Sequence, residues 1–213
     1  MALDLLEISL CRTGQKPLFA PLTLTVPAGQ ITTIMGPSGI GKSTLLSFIG
    51  GHLGRGWQSE GKLILNGQEI TSQPAEQRRI GVMFQDAVLF PHLSVAENLA
   101  FGLKASVRGR TARDKAVAEA LDQAGLTGMG GRDPASLSGG QKARVALMRS
   151  LLADPLALLL DEPFSRLDDS LRSDLRRFVF DHVRDRAIPV LMVTHDQSDA
   201  DAAAGPIIAL AKN

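Results

Sequence analysis

The chain of 213 residues is poor in cysteine and aromatic residues: it has one cysteine, one tryptophan and no tyrosine. Because Cys11 stands alone, no internal disulfide can form, and we expect a reducing compartment. Lysine and arginine number 23 against 22 aspartates and glutamates, so the formal net charge is only +1. This balance disfavours a protein that binds nucleic acid mainly through phosphate attraction, since such proteins are normally more basic.

Long apolar runs are also lacking. The longest stretch without a charge, Pro17 to Gly41, has 25 residues, but prolines, threonines and glycines interrupt it. This pattern predicts strands and turns rather than a membrane helix. Apolar residues still make up 44% of the chain, which is enough for one substantial core. If the protein acts at a membrane, a partner has to hold it there.

Residue periodicity predicts strands on either side of a central helical region. We expect strands at residues 3–10, 22–26, 30–35, 62–65, 80–84, 157–160, 189–193 and 207–210. Helices are expected at residues 42–49, 95–103, 111–124 and 140–153. The dipeptide Asn66-Gly67 is typical of a hairpin turn. This alternation predicts a largely parallel sheet with helices on both faces, interrupted by a helical insertion.

A glycine-rich loop lies between a predicted strand and a predicted helix. Residues 36–44 read GPSGIGKST and fit G-x-x-x-x-G-K-[ST], in the context that this phosphate-binding motif requires. The glycines let the backbone wrap so that its N–H groups face phosphate oxygens, and the helix N-terminus adds positive partial charge. Lys42 can reach the β- and γ-phosphates, and Ser43 can ligate Mg²⁺. The predicted nucleotide-binding residues of this loop are Gly36, Pro37, Ser38, Gly39, Ile40, Gly41, Lys42, Ser43 and Thr44.

Two acids end a strongly apolar strand, which reads LLLDEP at residues 158–163. Beside a phosphate loop, Asp161 fits the position that holds Mg²⁺, directly or through water. Alternation along the strand predicts that Glu162 points to the other side. There it can orient and deprotonate an attacking water. The alternative for an isolated acid pair is a buried strand followed by solvated carboxylates.

The string LSGGQ at residues 137–141 is the most specific motif of the chain. Its glycines, the Ser138 hydroxyl and a following helix N-terminus make a second potential anion site. One monomer rarely needs two such sites for one triphosphate. The motif therefore predicts a dimer in which Ser138, Gly139, Gly140 and Gln141 cover nucleotide bound to the partner copy.

These motifs, in this order, resemble the nucleotide-binding subunit of an ATP-binding-cassette (ABC) transporter over nearly the whole chain. The resemblance implies an α/β fold of the P-loop NTPase class, with a mostly parallel sheet core, an N-terminal antiparallel β region and a helical insertion. We expect a single ABC ATPase domain over residues 1–213, with its α/β core in 1–85 and 154–213 and a helical subdomain in 86–153. A head-to-tail homodimer with two ATP at its interface is also implied.

The resemblance assigns further site residues. Gln85 matches the glutamine that contacts Mg²⁺ and the attacking water, and His195 in VTHD matches the switch histidine that contacts the γ-phosphate. The stretch SRLD at 165–168 matches a loop that crosses the dimer interface, which adds Asp168 to the nucleotide-binding residues. Arg166 departs from the small residue usual there. The expected catalytic residues are Glu162 as general base, His195, Gln85 and Lys42, and the expected metal ligands are Ser43, Gln85 and Asp161.

Recognition of the base departs from the family pattern. The family usually places an aromatic residue shortly after the first strand, where it stacks on adenine. This chain has Leu10-Cys11-Arg12-Thr13 in the equivalent region. Two alternatives are open: Arg12 stacks its guanidinium plane on the base, or adenine is held loosely.

Residues 86–103 resemble the stretch in bacterial importers that receives a short helix from the membrane subunit. Phe90, Pro91 and Leu93 are candidate groove residues, or else simply core residues. We therefore expect the ATPase subunit of a bacterial ABC importer that uses ATP and Mg²⁺. Two copies should dock on two transmembrane permease subunits at the cytoplasmic face of the inner membrane, with a substrate-binding protein as a further candidate partner and no nucleic acid.

Other functions of a similar ATPase subunit remain alternatives. The same motifs serve the ATPase of an exporter, a lipoprotein-release complex or a division-type complex. A non-transport ABC ATPase that acts on nucleic acid is less favoured, because the chain has one cassette and no heptad run.

Overall fold

A computed structural model describes residues 1–165, 167 and 169–211, without the side chains of Asp169 and Ser170. The strands are β1 (Ala2–Arg12), β2 (Leu22–Pro27), β3 (Ile31–Met35), β4 (Trp57–Leu65), β5 (Gln68–Glu69), β6 (Ile80–Met83), β7 (Ala157–Asp161), β8 (Val190–Thr194) and β9 (Ile207–Ala209). The helices are α1 (Lys42–Ile49), α2 (Ala75–Arg78), α3 (Val95–Phe101), α4 (Arg110–Gln123), α5 (Gly139–Leu152), α6 (Asp169–Arg186) and α7 (Gln197–Ala203), and a 3-10 turn spans Pro134–Ser136.

The strands form two sheets with different pairing. One sheet has the order β2, β1, β4, β5, and its pairs are antiparallel. The other has the order β6, β7, β8, β3, β9, and its β7–β8, β3–β8 and β3–β9 pairs are parallel. Strands buried on both faces read as continuous apolar runs, as residues 158–160 and 190–193 do. The predicted combination of a parallel sheet with an N-terminal antiparallel β region is confirmed.

Differences from the expected bounds occur where the side-chain pattern is weak. Helix α1 has the predicted bounds, and the predicted turn at Asn66-Gly67 joins β4 to β5 with Leu65 paired to Gln68. Strand β4 begins at Trp57 rather than at Lys62, because its polar first half continues the backbone ladder with β1. Helix α2 is only four residues long, which is too short to produce a helical periodicity in the sequence.

Both sheets and α1 contribute to one hydrophobic core. Leu5 of β1, Leu45 and Ile49 of α1, Leu159 of β7 and Val193 of β8 are fully buried members of this core. Burial of apolar side chains along most of α1 holds the helix against the sheets. Its first turn, directly after the glycine loop, is therefore held in a defined position.

The chain divides into two compact units. The first comprises Met1–Val82, Leu156–Glu162 and His182–Asn213, and the second comprises Met83–Pro155 and Pro163–Asp181. Strands dominate the first unit, whereas α3, α4, α5 and most of α6 fill the second. None of the helices in the described part of the chain is both long and apolar enough to cross a bilayer.

A buried side chain organises the start of α3 in the second unit. Asn98 is fully buried, and its Nδ2 donates to the backbone oxygens of Phe90, Leu93 and Ser94 at 3.0–3.1 Å. Its Oδ1 accepts from the N–H of Phe90 at 2.8 Å. Ser94 and Glu97 form a capping box at the helix start. The segment before α3 is thus tied to the helix by hydrogen bonds.

Arg78 ties the end of α1 to the segment that follows β5. The residue is 6% exposed, and its guanidinium donates to four backbone oxygens: those of Phe48 (2.6 Å), Ile49 (2.9 Å), Thr71 (2.8 Å) and Gln73 (2.7 Å). The last carbonyl groups of a helix have no partner inside it. Arg78 therefore stabilises the end of α1 that lies away from the glycine loop.

We expect Arg78→Met to lower the free energy of unfolding by roughly 2–4 kcal/mol, because buried carbonyl groups lose their donors. Arg55→Met is the matched control at an exposed arginine of the same unit and should change it by less than about 0.5 kcal/mol. Urea denaturation followed by circular dichroism measures both variants. Equal stabilities of the two would contradict the role of Arg78.

Candidate functional site

Three chain segments meet at one edge of the parallel sheet. Asp161 of β7 pairs with Val193 of β8, and Thr194 of β8 pairs with Met35 of β3. Because these strands are parallel, the segments that leave their carboxyl ends lie side by side, which is where open α/β sheets bind ligands. Those segments carry the glycine loop, the acid pair and His195.

The glycine loop connects β3 to α1 in a conformation that needs glycine. Gly39 and Gly41 have φ values of +81° and +109°. A Cβ atom on Gly41 would lie 2.6 Å from Cδ1 of Leu18, so a larger residue would also require the Leu18 side chain to shift. Ile40 is buried and anchors the loop to the core, while Ser38 remains exposed. The loop can thus present its backbone N–H groups to a ligand.

Lys42 curls back over the glycine loop. The residue is 5% exposed, and its Nζ donates to the backbone oxygens of Gly36 (2.7 Å) and Pro37 (3.2 Å). An ammonium group has three protons, so these two bonds leave a third for a ligand. Lys42 therefore holds the loop and places a positive charge beside the backbone of Gly36 and Pro37.

Ser43 and Asp161 form a pair of oxygen donors. The Ser43 hydroxyl donates to Oδ1 of Asp161 at 3.0 Å, across 118 residues of sequence. Burial raises the pKa of Asp161, and the repulsion from Glu162 acts in the same direction, whereas the Ser43 hydrogen bond and Lys42 oppose the shift. A cation bound beside this carboxylate would favour its charged form.

The oxygen donors at this position fit Mg²⁺. This ion is usually held by one or two protein ligands together with substrate phosphates and water. Within the described residues, no group of three or more His, Cys, Asp and Glu side chains could hold a metal ion by itself. Ser43 and Asp161 could by themselves supply two of the oxygen ligands of such an ion.

Glu162 lies just beyond the end of β7 in a left-handed conformation. Its φ is +44°, and its N–H donates to the backbone oxygen of Val193 at 2.9 Å. Strand alternation therefore does not set its direction, contrary to the reasoning from sequence, because β7 ends at Asp161. The Glu162 carboxylate is 17% exposed, and its Oε2 lies 3.2 Å from Nδ1 of His195.

His195 is held by the residues on either side of it. The N–H of Asp196 donates to Oγ1 of Thr194 at 3.1 Å. The Asp196 carboxylate caps α7 by accepting from the N–H groups of Ser198 (2.8 Å) and Asp199 (3.3 Å). The capped turn fixes the backbone of His195, whose side chain is 54% exposed and contacts Glu162.

The glycine loop and Glu162 border a cavity of about 260 Å³ in the first unit. The predicted residues Ser38, Gly39, Gly41, Lys42, Ser43, Thr44 and Glu162 line it together with Leu18 and Trp57. Sequence reasoning missed Trp57. The one signal available in the sequence was that it is the only tryptophan. Its pairing with Arg12 across β1 and β4 is visible only in the fold.

Part of the predicted site belongs to the second unit. Ser138 caps α5: the N–H of Gln141 donates to its Oγ (3.3 Å), and the N–H of Ser138 donates to Oε1 of Gln141 (3.0 Å). The serine hydroxyl acts as an acceptor in this capping box, so its own proton can serve a ligand. Gly139 and Gly140 form the first turn of the helix.

Gln85 also lies in the second unit, and its Nε2 donates to Oγ of Ser165 at 3.3 Å. Arg166 and Asp168 lie outside the described residues. A second cavity of about 480 Å³ is lined by Gln85, Pro91 and other residues of this unit. Phe90 packs instead against Phe101, with ring centroids 4.6 Å apart, and lies under the Arg149 guanidinium.

Comparison with known proteins defines the class. A family model described as "ABC transporter" matches residues 19–165. The chain therefore belongs to the ABC transporter family, whose ATP-binding domain is an ATPase of the P-loop NTPase fold. The predicted family and fold class are confirmed.

Several bacterial proteins are similar over most of this chain. The uncharacterized ABC transporter ATP-binding protein YnjD of Escherichia coli (strain K12) is 52% identical over 191 residues, which cover 90% of this chain and 88% of that protein. The thiamine import ATP-binding protein ThiQ of Jannaschia sp. (strain CCS1) is 40% identical and covers 92% of this chain and 85% of its own length. In the spermidine/putrescine import ATP-binding protein PotA of Bacteroides fragilis (strain YCH46), the match is 40% identical but covers only 42% of that protein.

A solved structure is similar over nearly the whole fold. It is the dimeric ATP-binding cassette MJ0796 in a post-hydrolysis state, bound to ADP and Pi. The TM-score is 0.81 at 29% sequence identity, and the match covers 98% of this chain and 94% of that one.

The raised pKa of Asp161 predicts a pH-dependent effect of Asp161→Asn. When a carboxyl group has a higher pKa in the folded than in the unfolded state, the protein loses stability as the pH rises through the raised value. Without divalent cations, we therefore expect Asp161→Asn to have a higher free energy of unfolding than the wild type at pH 7. The difference should narrow as the pH is lowered through the raised pKa towards about 4, the ordinary pKa of an aspartate in the unfolded state, below which both states of the wild type are protonated.

Urea denaturation at a series of pH values in EDTA measures this effect. Asp201→Asn is the control at an exposed carboxyl of the same unit and should stay within about 0.5 kcal/mol of the wild type. If Asp161→Asn were less stable than the wild type at pH 7, the buried carboxylate would not be the unfavourable group that its position implies.

Proposed function

We propose that this chain is the ATP-binding and ATP-hydrolysing subunit of a bacterial ABC importer, and that it works as a homodimer around two ATP molecules. One observation carries the proposal: the glycine loop, the Ser43–Asp161 pair and the Glu162–His195 pair lie together at the carboxyl edge of the parallel sheet. The chemistry that these groups can perform is phosphoryl transfer to water.

In this proposal the glycine loop binds the phosphates of ATP. Its backbone N–H groups and the first turn of α1 supply positive partial charge. Two protons of Lys42 hold the loop through Gly36 and Pro37, and the third is available to the β- and γ-phosphate oxygens. Because Lys42 is already fixed by its own hydrogen bonds, it needs little rearrangement when charge develops on the phosphate.

Ser43, Asp161 and Gln85 are the proposed Mg²⁺ ligands. When bound with the nucleotide, the ion neutralises phosphate charge that would otherwise oppose attack by water. Ser43 and Asp161 already lie 3.0 Å apart, oxygen to oxygen, so the hydroxyl that now donates to the carboxylate would turn its lone pair to the ion.

Glu162 is the proposed general base. Its carboxylate accepts a proton from water while the water oxygen bonds to the γ-phosphorus and the bond to the bridging oxygen breaks, which yields ADP and phosphate. A His195 that carries protons on both ring nitrogens would donate from Nδ1 to Oε2 of Glu162 and from Nε2 to the γ-phosphate. His195 thereby links the base to the group under attack.

The dimer explains the second anion site. Ser138, Gly139, Gly140, Gln141 and Asp168 would contact the nucleotide held by the partner copy. A serine whose oxygen caps α5 while its proton remains available can donate to phosphate without loss of the cap. The dimeric ADP- and Pi-bound form of the similar cassette MJ0796 supports this arrangement.

Import is supported by the names of similar proteins. They are import ATP-binding proteins for different cargoes, namely thiamine, spermidine and putrescine, and Fe(3+) ions. Since similar cassettes serve such different cargoes, specificity would reside in partner proteins. We propose two transmembrane permease subunits and a substrate-binding protein as partners, at the cytoplasmic face of the inner membrane. The cavity that Gln85 and Pro91 line is the proposed contact with the permease.

We expect Glu162→Gln to retain ATP binding and ATP-dependent dimerisation but to lower turnover about 10²- to 10⁴-fold, the contribution of a general base. Phosphate release measures turnover, and calorimetry measures ATP binding. Glu60→Gln, at an exposed position of β4, is the control and should keep wild-type turnover. Unchanged turnover in Glu162→Gln would remove Glu162 from its proposed role.

Ser138→Asp and Ser138→Asn separate capping from phosphate binding. Both side chains can cap α5, but aspartate adds a negative charge where the partner's phosphates should lie. We expect Ser138→Asn to keep the cap and to support ATP-dependent dimerisation, whereas Ser138→Asp should weaken dimerisation at least about tenfold, the effect of roughly 1.4 kcal/mol. Sedimentation velocity with ATP in a Glu162→Gln background measures the dimer. Equal dimerisation of the two variants would contradict the proposed contact.

A further inference from the structure

An aromatic ring lines the cavity beside the glycine loop, although the position where the family usually has an aromatic residue lacks one here. Tyrosine is absent from the chain, and residues 10–13 carry no aromatic side chain. Trp57, the single tryptophan, lines the same cavity as Ser38, Gly39, Lys42 and Thr44. It begins β4, far in sequence from the segment where an aromatic residue was expected.

Backbone pairing holds Trp57 at this position. Trp57 and Arg12 are direct partners in the antiparallel β1–β4 ladder, so both side chains lie on the same face of the sheet. The guanidinium carbon of Arg12 lies 5.8 Å from the centroid of the indole. Both the N–H and the Oγ1 of Thr13 donate to the backbone oxygen of Gly56, at 3.0 and 3.2 Å. The turn directly before Trp57 is thus pinned to the end of β1.

The same part of the chain contacts the glycine loop. The N–H of Leu18 donates to the backbone oxygen of Leu10 at 2.9 Å, which folds the segment after β1 back on itself. Leu18 lies so close to Gly41 that a Cβ atom there would be 2.6 Å from its Cδ1. The end of the β1–β4 ladder and the glycine loop are therefore neighbouring walls of one cavity.

We propose that Trp57 stacks on the adenine of the bound nucleotide and that Arg12 is a positioning residue that holds the indole. The inference rests on the proposed function, since it requires that the cavity bind ATP or ADP. Bases stack on aromatic side chains through their π-faces, and tryptophan offers the largest ring. Of the two side chains, Trp57 lines the cavity and Arg12 packs on the ring, which argues against direct stacking of Arg12 on the base.

The chain contains its own probe for this contact. Because the chain has one tryptophan and no tyrosine, its intrinsic tryptophan fluorescence reports on Trp57 alone. Titration of the wild-type full chain with ADP and Mg²⁺ should quench this emission with the same dissociation constant that calorimetry gives. Pyrophosphate, which has no base, should leave the emission unchanged. ADP binding by calorimetry without any change in emission would overturn the proposal.

Variants of Trp57 test the contribution of the stack. We expect Trp57→Ala to weaken ADP binding about five- to one-hundred-fold, the range for loss of one base–aromatic stack. Its affinity for pyrophosphate, measured by competition with ADP, should stay within about twofold of the wild type. Trp57→Phe should restore most of the ADP affinity. Gln58→Ala is the control, because the next residue of the strand points to the opposite face.

The outcomes separate this inference from the proposed function. Equal losses of ADP and pyrophosphate affinity in Trp57→Ala would mean that the ring only supports the fold, and would overturn the stack. If the wild type bound neither ADP nor ATP by calorimetry, the proposed function itself would fail. Lys42→Ala should lose affinity for both ligands, so a loss confined to ADP in Trp57→Ala would support a contact with the base.

Arg12→Ala distinguishes the two residues. If Arg12 acts through the ring, Arg12→Ala should weaken ADP binding less than Trp57→Ala does. In the Trp57→Ala background, Arg12→Ala should cause no further loss of ADP affinity. If Arg12→Ala instead lost the ADP affinity expected of the stack while Trp57→Ala kept wild-type affinity, Arg12 would be the residue that stacks on the base.

Discussion

Parallel pairing of β3, β8 and β7 is the constraint on which the proposed site depends. It places the ends of three strands at one edge of a sheet, although Met35, Asp161 and Thr194 lie far apart in sequence. Each following segment then carries one kind of group: backbone N–H donors with a lysine, a carboxylate pair, or an imidazole. Without that register, none of these groups would lie within reach of a common ligand.

Local features could be predicted from the sequence because local chemistry determines them. The glycine loop and the bounds of α1 follow from residues 36–49 themselves, and the turn at Asn66-Gly67 follows from two residues that accept positive φ. The apolar run of β7 predicted a buried parallel strand with acids at its end. In each case the signal lies within a few residues of the structure it produces.

Long-range features could not be predicted in the same way. The first half of β4 is polar, and only its ladder with β1 makes it a strand and brings Trp57 beside Arg12. The Arg78 guanidinium satisfies oxygens of residues up to 30 positions away, which no periodicity reveals. The direction of Glu162 follows from a left-handed backbone beyond the end of the strand.

That backbone conformation has an evolutionary consequence. A glutamate at φ +44° costs the folded state about 1–3 kcal/mol relative to a relaxed backbone, whereas glycine would adopt the same angles without this penalty. If Glu162 is the general base, as we propose, substitution by glycine at position 162 would give a more heat-resistant but inactive protein. The proposed role would thus set thermal tolerance against turnover at a single residue, where selection for activity would oppose the more stable alternative.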